Sequence, residues 1–117
     1  MIQLNLPRKI LAVDFYQETN GNEPVRKWLK SLAKEERSFI GKDICTVQEG
    51  WPLGMPLVRS LGSGLWEVRC SMPSGIARVI FVMKDNRMVL LHGFIKKSQK
   101  TPLQELDIAK RRLKHLI

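Results

Sequence analysis

Arginines, lysines, a histidine and a glutamate recur in the second half of the chain at spacings suited to phosphate chemistry. Glu67 and Arg69 stand two apart in the run LWEVRCS, so a strand there carries both on one side. Arg78 opens a second apolar run, ARVIFVM, and His92 interrupts a third, MVLLHGFI. Lys96, Lys97 and Lys100 follow closely, and Arg59 adds a cation in the stretch before LWEVRCS. Neighbouring strands lie roughly 5 Å apart, so these groups could converge on one patch. Such a set fits RNA cleavage, in which a 2′-hydroxyl attacks the adjacent phosphate. The step needs a base, an acid and cations around the developing charge. Arginine suits the clamp because its planar fork matches phosphate oxygens. His92 titrates near neutral pH, and Glu67 could be a base or could orient a cation.

Each of these residues also has an ordinary structural role open to it. A lone histidine in an apolar strand is commonly hydrogen-bonded in place, and Glu67 with Arg69 could be a plain ion pair. Lys110, Arg111, Arg112 and Lys114 fall at a helix end, where cations complement the helix dipole, and read as a solvated face. No metal is required. The two histidines, His92 and His115, are far apart and accompany no carboxylate cluster.

The elements that must position these groups follow from periodicity. Residues Ile10–Tyr16 read as a strand, and Asn20-Gly21-Asn22 breaks it. A helix begins near Pro24, with Val25, Trp28, Leu29 and Leu32 on one face, and a second runs from about Lys34 to Gln48. Gly50–Gly64 is mostly loop, with a short strand at Leu57–Leu61. Leu65–Ser71, Ala77–Met83 and Met88–Ile95 form an antiparallel meander joined by short turns. Thr101 caps a last helix whose first residue is Pro102 and whose apolar stripe is Leu103, Leu106, Ala109, Leu113 and Leu116. The order β-α-α-β-β-β-α gives an α+β domain: a small antiparallel sheet with helices packed on one face and the other face open. Trp66 and Leu106 are expected to join the sheet to the last helix.

Composition narrows the partners. The chain has 117 residues, the size of one domain spanning 1–117, and its hydrophobic share of 44% argues against disorder. It holds 20 Lys+Arg against 11 Asp+Glu, a formal net charge of +9, which favours nucleic acid. Residues Lys84–Ile117 alone hold nine basic against three acidic groups, a net +6, so the charge gathers around His92. Cys45 and Cys70 read as buried, reduced thiols. The N-terminus has no signal-peptide pattern and no apolar run is long enough to span a bilayer, so a cytoplasmic protein with no membrane partner is expected.

The second half resembles the phage-derived Gp49-like branch of the RelE/HigB toxins of type II toxin-antitoxin systems. The residues that carry this are Leu65-Trp66-Glu67-Val68-Arg69, Ala77-Arg78-Val79-Ile80-Phe81, and the run from Leu90 through HGFIKKSQKTP to Pro102. An amphipathic helix with Ala109 and Arg111-Arg112 follows, as in that branch. The resemblance implies a RelE-like microbial-ribonuclease fold that cuts mRNA, often on the ribosome, without a cofactor, and so inhibits translation. It also implies a cognate antitoxin with a helix-turn-helix domain. Arg69 and Arg78 match the basic residues that contact the scissile phosphate, and Lys96 and Lys97 match the basic pair after the last strand. Lys97, His92 and Glu67 complete the catalytic set, with Lys96, Lys100 and Arg59 as RNA-binding cations. The chain departs from its relatives in having Glu67 where they have a basic residue, and in lacking a tyrosine after the last strand. The acid and base roles thus stay open between His92 and a lysine. Two other functions share the scaffold: a ParE-like inhibitor of DNA gyrase, and a non-catalytic RNA-binding module. The antitoxin could cap the basic face at Arg69, Arg78 or Lys97, or bind the helical hairpin away from it; the second is preferred, with Trp28 as the expected anchor.

Overall fold

The computed structural model describes residues 10–96 and 100–116; Lys97 lies outside them. The elements are β1 (Ala12–Phe15), α1 (Pro24–Ser31), α2 (Lys34–Gly50), β2 (Val58–Gly62), β3 (Leu65–Met72), β4 (Gly75–Lys84), β5 (Arg87–Lys96) and α3 (Leu103–Leu116). The five strands form one sheet in the order β1-β5-β4-β3-β2. β1 runs parallel to β5, and the other pairs are antiparallel. The sheet is therefore mixed. Two-residue turns link the meander. Asp85 and Asn86 both take positive φ, 52° and 62°, as do Ser63 and Gly64, 55° and 81°. That backbone matches the strand twist.

The α+β class is the one expected, but the helices lie on both faces of the sheet. Val25 of α1 and Ile40, Ile44 and Val47 of α2 bury against Val68, Cys70, Val79, Phe81 and Leu90. On the other face Ala109, Leu106 and Leu113 of α3 pack over Leu65, Ile80, Val89, Leu91 and Phe94. The cause is visible in β4 and β5, whose apolar residues run on without alternation. A strand covered on one face alternates; one covered on both does not. The open face anticipated from the sequence is thus closed by α3 over β4 and β5; toward β3 and β2 no helix covers it among the described residues.

Three other expectations change with this. Trp66 points toward α1 and α2, meeting Trp51 edge-on at 5.0 Å; its neighbour Leu65 is the residue beneath α3. Cys45 is exposed, and only Cys70 is buried. Pro102 rather than Thr101 ends the helix, its carbonyl accepting from the Leu106 amide at 3.1 Å.

Trp28 is half-buried and packs on the sheet. Its indole lies on Gly93 of β5 so closely that a Cβ there would stand 2.3 Å from Cζ3. Gly93 therefore gives α1 its seat on the sheet. Gly93→Ala should cost roughly 1–3 kcal/mol by overpacking, measured by urea unfolding. The double variant Gly93→Ala with Trp28→Leu should recover part of that loss. Unchanged stability in the single variant would refute the contact.

Candidate nucleic-acid interface

Strand register sets the charged residues in rows on the α3 side of the sheet. Alternation along β3 sends Val68 and Cys70 into the α1–α2 core, so Glu67, Arg69 and Ser71 face the other way. Across the strands, Arg59 pairs with Glu67, Glu67 with Ile80, and Ile80 with His92. The next row is Arg69, Arg78 and Phe94, and the outermost is Ser71, Ile76 and Lys96. The structure thus brings together Arg59, Glu67, Arg69 and Arg78, with Lys96 at the rim. Lys100, exposed, precedes α3.

The inner row is more deeply set than a strand on an open face would be. Glu67 and Arg78 are completely buried, and the Arg69 side chain is 10% exposed. The Thr101 hydroxyl donates to Glu67 Oε2 at 2.7 Å, and Arg69 Nε lies 3.7 Å from Oε1. Burial weakens the hold of Arg78 on its proton, Glu67 strengthens it, and the like charges of Arg69 and Arg59 weaken it again. An arginine so placed stays charged, since its ordinary value is far above neutrality. Arg59, Arg69 and Arg78 against Glu67 leave a net two positive charges in a partly dehydrated cluster, reached from outside at Arg59 and Arg69. Such a cluster attracts an anion more strongly than the same charges would in open water.

His92 lies away from this cluster, beneath α3. Ile80 pairs with His92 and Phe81 with Leu90, so Leu91 is an extra residue in β5. A bulge of this kind turns consecutive side chains to one face. Arg112 Nη1 donates to the Leu91 carbonyl at 2.7 Å and lies 3.2 Å from His92 Nδ1. Guanidinium nitrogens only donate, so Nδ1 accepts and the ring proton sits on Nε2, which donates to Glu105 at 3.2 Å. The ring stacks on Phe94, with centroids 5.6 Å apart, and Phe94 separates it from Arg78. Burial pulls the His92 pKa down, Glu105 pulls it up, and Arg112 lowers it further. The histidine is therefore neutral at pH 7, with both nitrogens engaged.

Arg112 and Thr101 are the residues that sequence reasoning missed. Arg112, expected on a solvated face, reaches inward. Its signal was position: Glu105, Ala109 and Arg112 share one stripe of α3, so two charged groups flank a buried alanine. Thr101 was read as a cap, but its hydroxyl serves Glu67.

A small α+β domain with a cationic cluster at the uncovered end of its sheet is the class that fold and site define. The chain belongs to the Phage derived protein Gp49-like (DUF891) family, whose model matches residues 27–114. That is a RelE-like toxin family associated with toxin-antitoxin systems, and it implies an antitoxin partner. The match covers every residue of the rows and leaves out β1. No curated protein matches the chain. Among the described residues, no helix is long and apolar enough to cross a membrane.

Two outcomes follow. Arg78→Ala should lose about 3–5 kcal/mol of stability, because it leaves Glu67 enclosed with less charge to offset it. Thermal and urea melts check this, and an unshifted melt would contradict the burial. For His92, the folded state holds the ring neutral while the unfolded chain protonates it below about 6.5. The unfolded state then binds more protons, so stability should fall as pH drops from 6.5 toward the lowered folded value. Urea unfolding at pH 7.5 and 5.5 should show a smaller fall in His92→Gln than in the native chain.

Proposed function

We propose that this toxin cuts messenger RNA without a metal ion, and that the arginine row of β3 and β4 holds the scissile phosphate. The observation that carries the reading is the excess of guanidinium over carboxylate in the cluster of Arg59, Arg69, Arg78 and Glu67. Arg69 and Arg59 meet the phosphate oxygens, and Arg78 adds its charge from beneath. The 2′ oxygen attacks phosphorus as its proton passes to Glu67. The Thr101 hydroxyl already donates to that carboxylate, so the substrate hydroxyl replaces one of its own kind. The bond from phosphorus to the 5′ oxygen then breaks, leaving a 2′,3′-cyclic phosphate. Lys97, with Lys96 beside it in sequence, protonates the leaving oxygen. Lys100 and Lys96 hold flanking phosphates. On this reading His92 steadies Phe94 and α3 instead of moving protons.

The message is presented by the ribosome, where translation stops when it is cut. Between uses the toxin is silenced by an antitoxin with a helix-turn-helix domain. The supporting facts are family membership and the formal net charge of +9.

Induced expression without antitoxin should arrest growth and create new RNA 5′ ends. Arg69→Ala, at a partly exposed site, should keep the fold by circular dichroism and slow cleavage by roughly 10²–10³. Glu67→Gln should slow it by roughly 10²–10⁴. Arrest with intact RNA and altered DNA supercoiling would replace this reading with gyrase inhibition. RNA binding with neither arrest nor cleavage would reduce the chain to a binding module.

A further inference from the structure

Beyond the phosphate row, a cleft of about 150 Å³ opens beside Arg69, lined by Met55, Pro56, Ser71 and Ile76. Met55 belongs to the irregular stretch between α2 and β2, and its side chain is 60% exposed. Large exposed apolar side chains are few among the described residues, and Met55 is the one that stands next to an arginine of the row. Nothing in the packing of either core requires it there; neither hydrophobic cluster includes it.

We propose that this cleft is a nucleobase subsite, which takes the base adjoining the phosphate held by Arg69. The inference rests on the RNA-cleavage reading and names the part of the substrate that the reading leaves unplaced. Three arguments converge on a base. The first is direction. On one side of the Arg69–Arg78–Phe94 row the sheet is closed by α3, with His92 and Glu105 filling the space. On the other side Ser71 and Lys96 of the next row are exposed among the described residues, so the base of a nucleoside attached to the bound phosphate has room there. The second is shape and chemistry. A space of roughly 150 Å³ admits a six-membered aromatic ring. Thioether, proline ring and isoleucine offer polarisable and apolar surface to the faces of such a ring, and methionine adapts to rings of different outline. The third is charge. Arg69 in the lining and Lys96, the register partner of Ile76, offer cations to phosphates on either side of a base, as suits one unit of a nucleic-acid strand. Single-stranded RNA is read in this way, by splaying bases onto side chains and bonding their edges.

Ser71 sets the discrimination. Its hydroxyl both donates and accepts, so it can meet the edge of more than one base. The cleft therefore selects by stacking first and by edge second, and tolerant rather than strict base choice is expected at this position.

The test uses the full-length toxin, with and without ribosomes, and a short messenger RNA whose central five nucleotides are made uncleavable by 2′-O-methyl groups, with an abasic residue moved through each of the five positions in turn. Native toxin should bind the parent oligonucleotide and lose roughly tenfold in affinity when one position, next to the cleaved bond, is abasic. Met55→Ala should bind the parent roughly tenfold more weakly, with no further loss from the abasic residue. Ser71→Ala should keep the abasic penalty and change the order of preference among the four bases at that position. Both side chains are exposed, and melts of the two variants should match the native chain. If native toxin cuts RNA but no abasic position matters, or if Met55→Ala keeps the full penalty, the subsite is wrong and the cleavage reading stands. If native toxin neither binds nor cuts RNA, both fall together.

Discussion

One extra residue in β5, Leu91, governs how α3 meets the sheet. The bulge turns Leu91 and His92 toward the helix and takes a carbonyl out of the ladder. That carbonyl would be costly to bury alone, and Arg112 answers it. Arg112 then needs an acceptor for its remaining contact, which His92 Nδ1 supplies, and the His92 Nε2–H donates a hydrogen bond to Glu105. The chain of donors and acceptors fixes the helix in rotation as well as in place. The apolar stripe of Leu106, Ala109 and Leu113 could slide over Leu91 and Phe94; the polar chain cannot.

The position of α3 in turn decides which part of the sheet stays reachable. Covering β5 and β4 leaves the rows of β3 and β2 as the place where polar groups can meet a solute. The start of α3 also brings Thr101 to Glu67, so the carboxylate is enclosed without being stranded. Enclosure strengthens what the arginines do. Charges held in surroundings of low polarity act on an anion with less screening than surface lysines. The cost is borne as reduced stability, since like charges crowd Arg78. Marginal local stability at a site of this kind is a usual companion of function.

Much of this architecture can be read from the chain alone, and the reasons differ by element. The meander was legible because Asp85-Asn86 and the glycine-rich turns punctuate strands of the right length. The helical hairpin was legible from Pro24 and the spacing of Ile40, Ile44 and Val47. The side on which α3 packs was also written there, in the unbroken apolar runs of β4 and β5, but one covered face had been assumed. Glu67, Arg69 and Arg78 were legible as neighbours, since period two and short turns fix their rows. Their depth was not, because burial depends on a helix that arrives from the far end of the chain. His92 shows the same limit. Its residue type suggested proton transfer, and only a contact partner twenty positions away, Arg112, shows it accepting rather than exchanging.

Among the described residues β1 has one neighbour in the sheet, β5, the last of the five strands in chain order. Ala12 pairs with Arg87, 75 positions further on, and Asp14 and Arg87 join the two strands by a double hydrogen bond. Synthesis proceeds at roughly 5–20 residues per second, so the first strand waits several seconds for its partner. α3, which completes the enclosure, follows later still. Until β5 and α3 have been made, the nascent toxin has neither a closed sheet nor a finished site. The topology therefore builds in a delay between the start of synthesis and the first moment of harm, and a partner already present in the cell has that interval in which to be waiting.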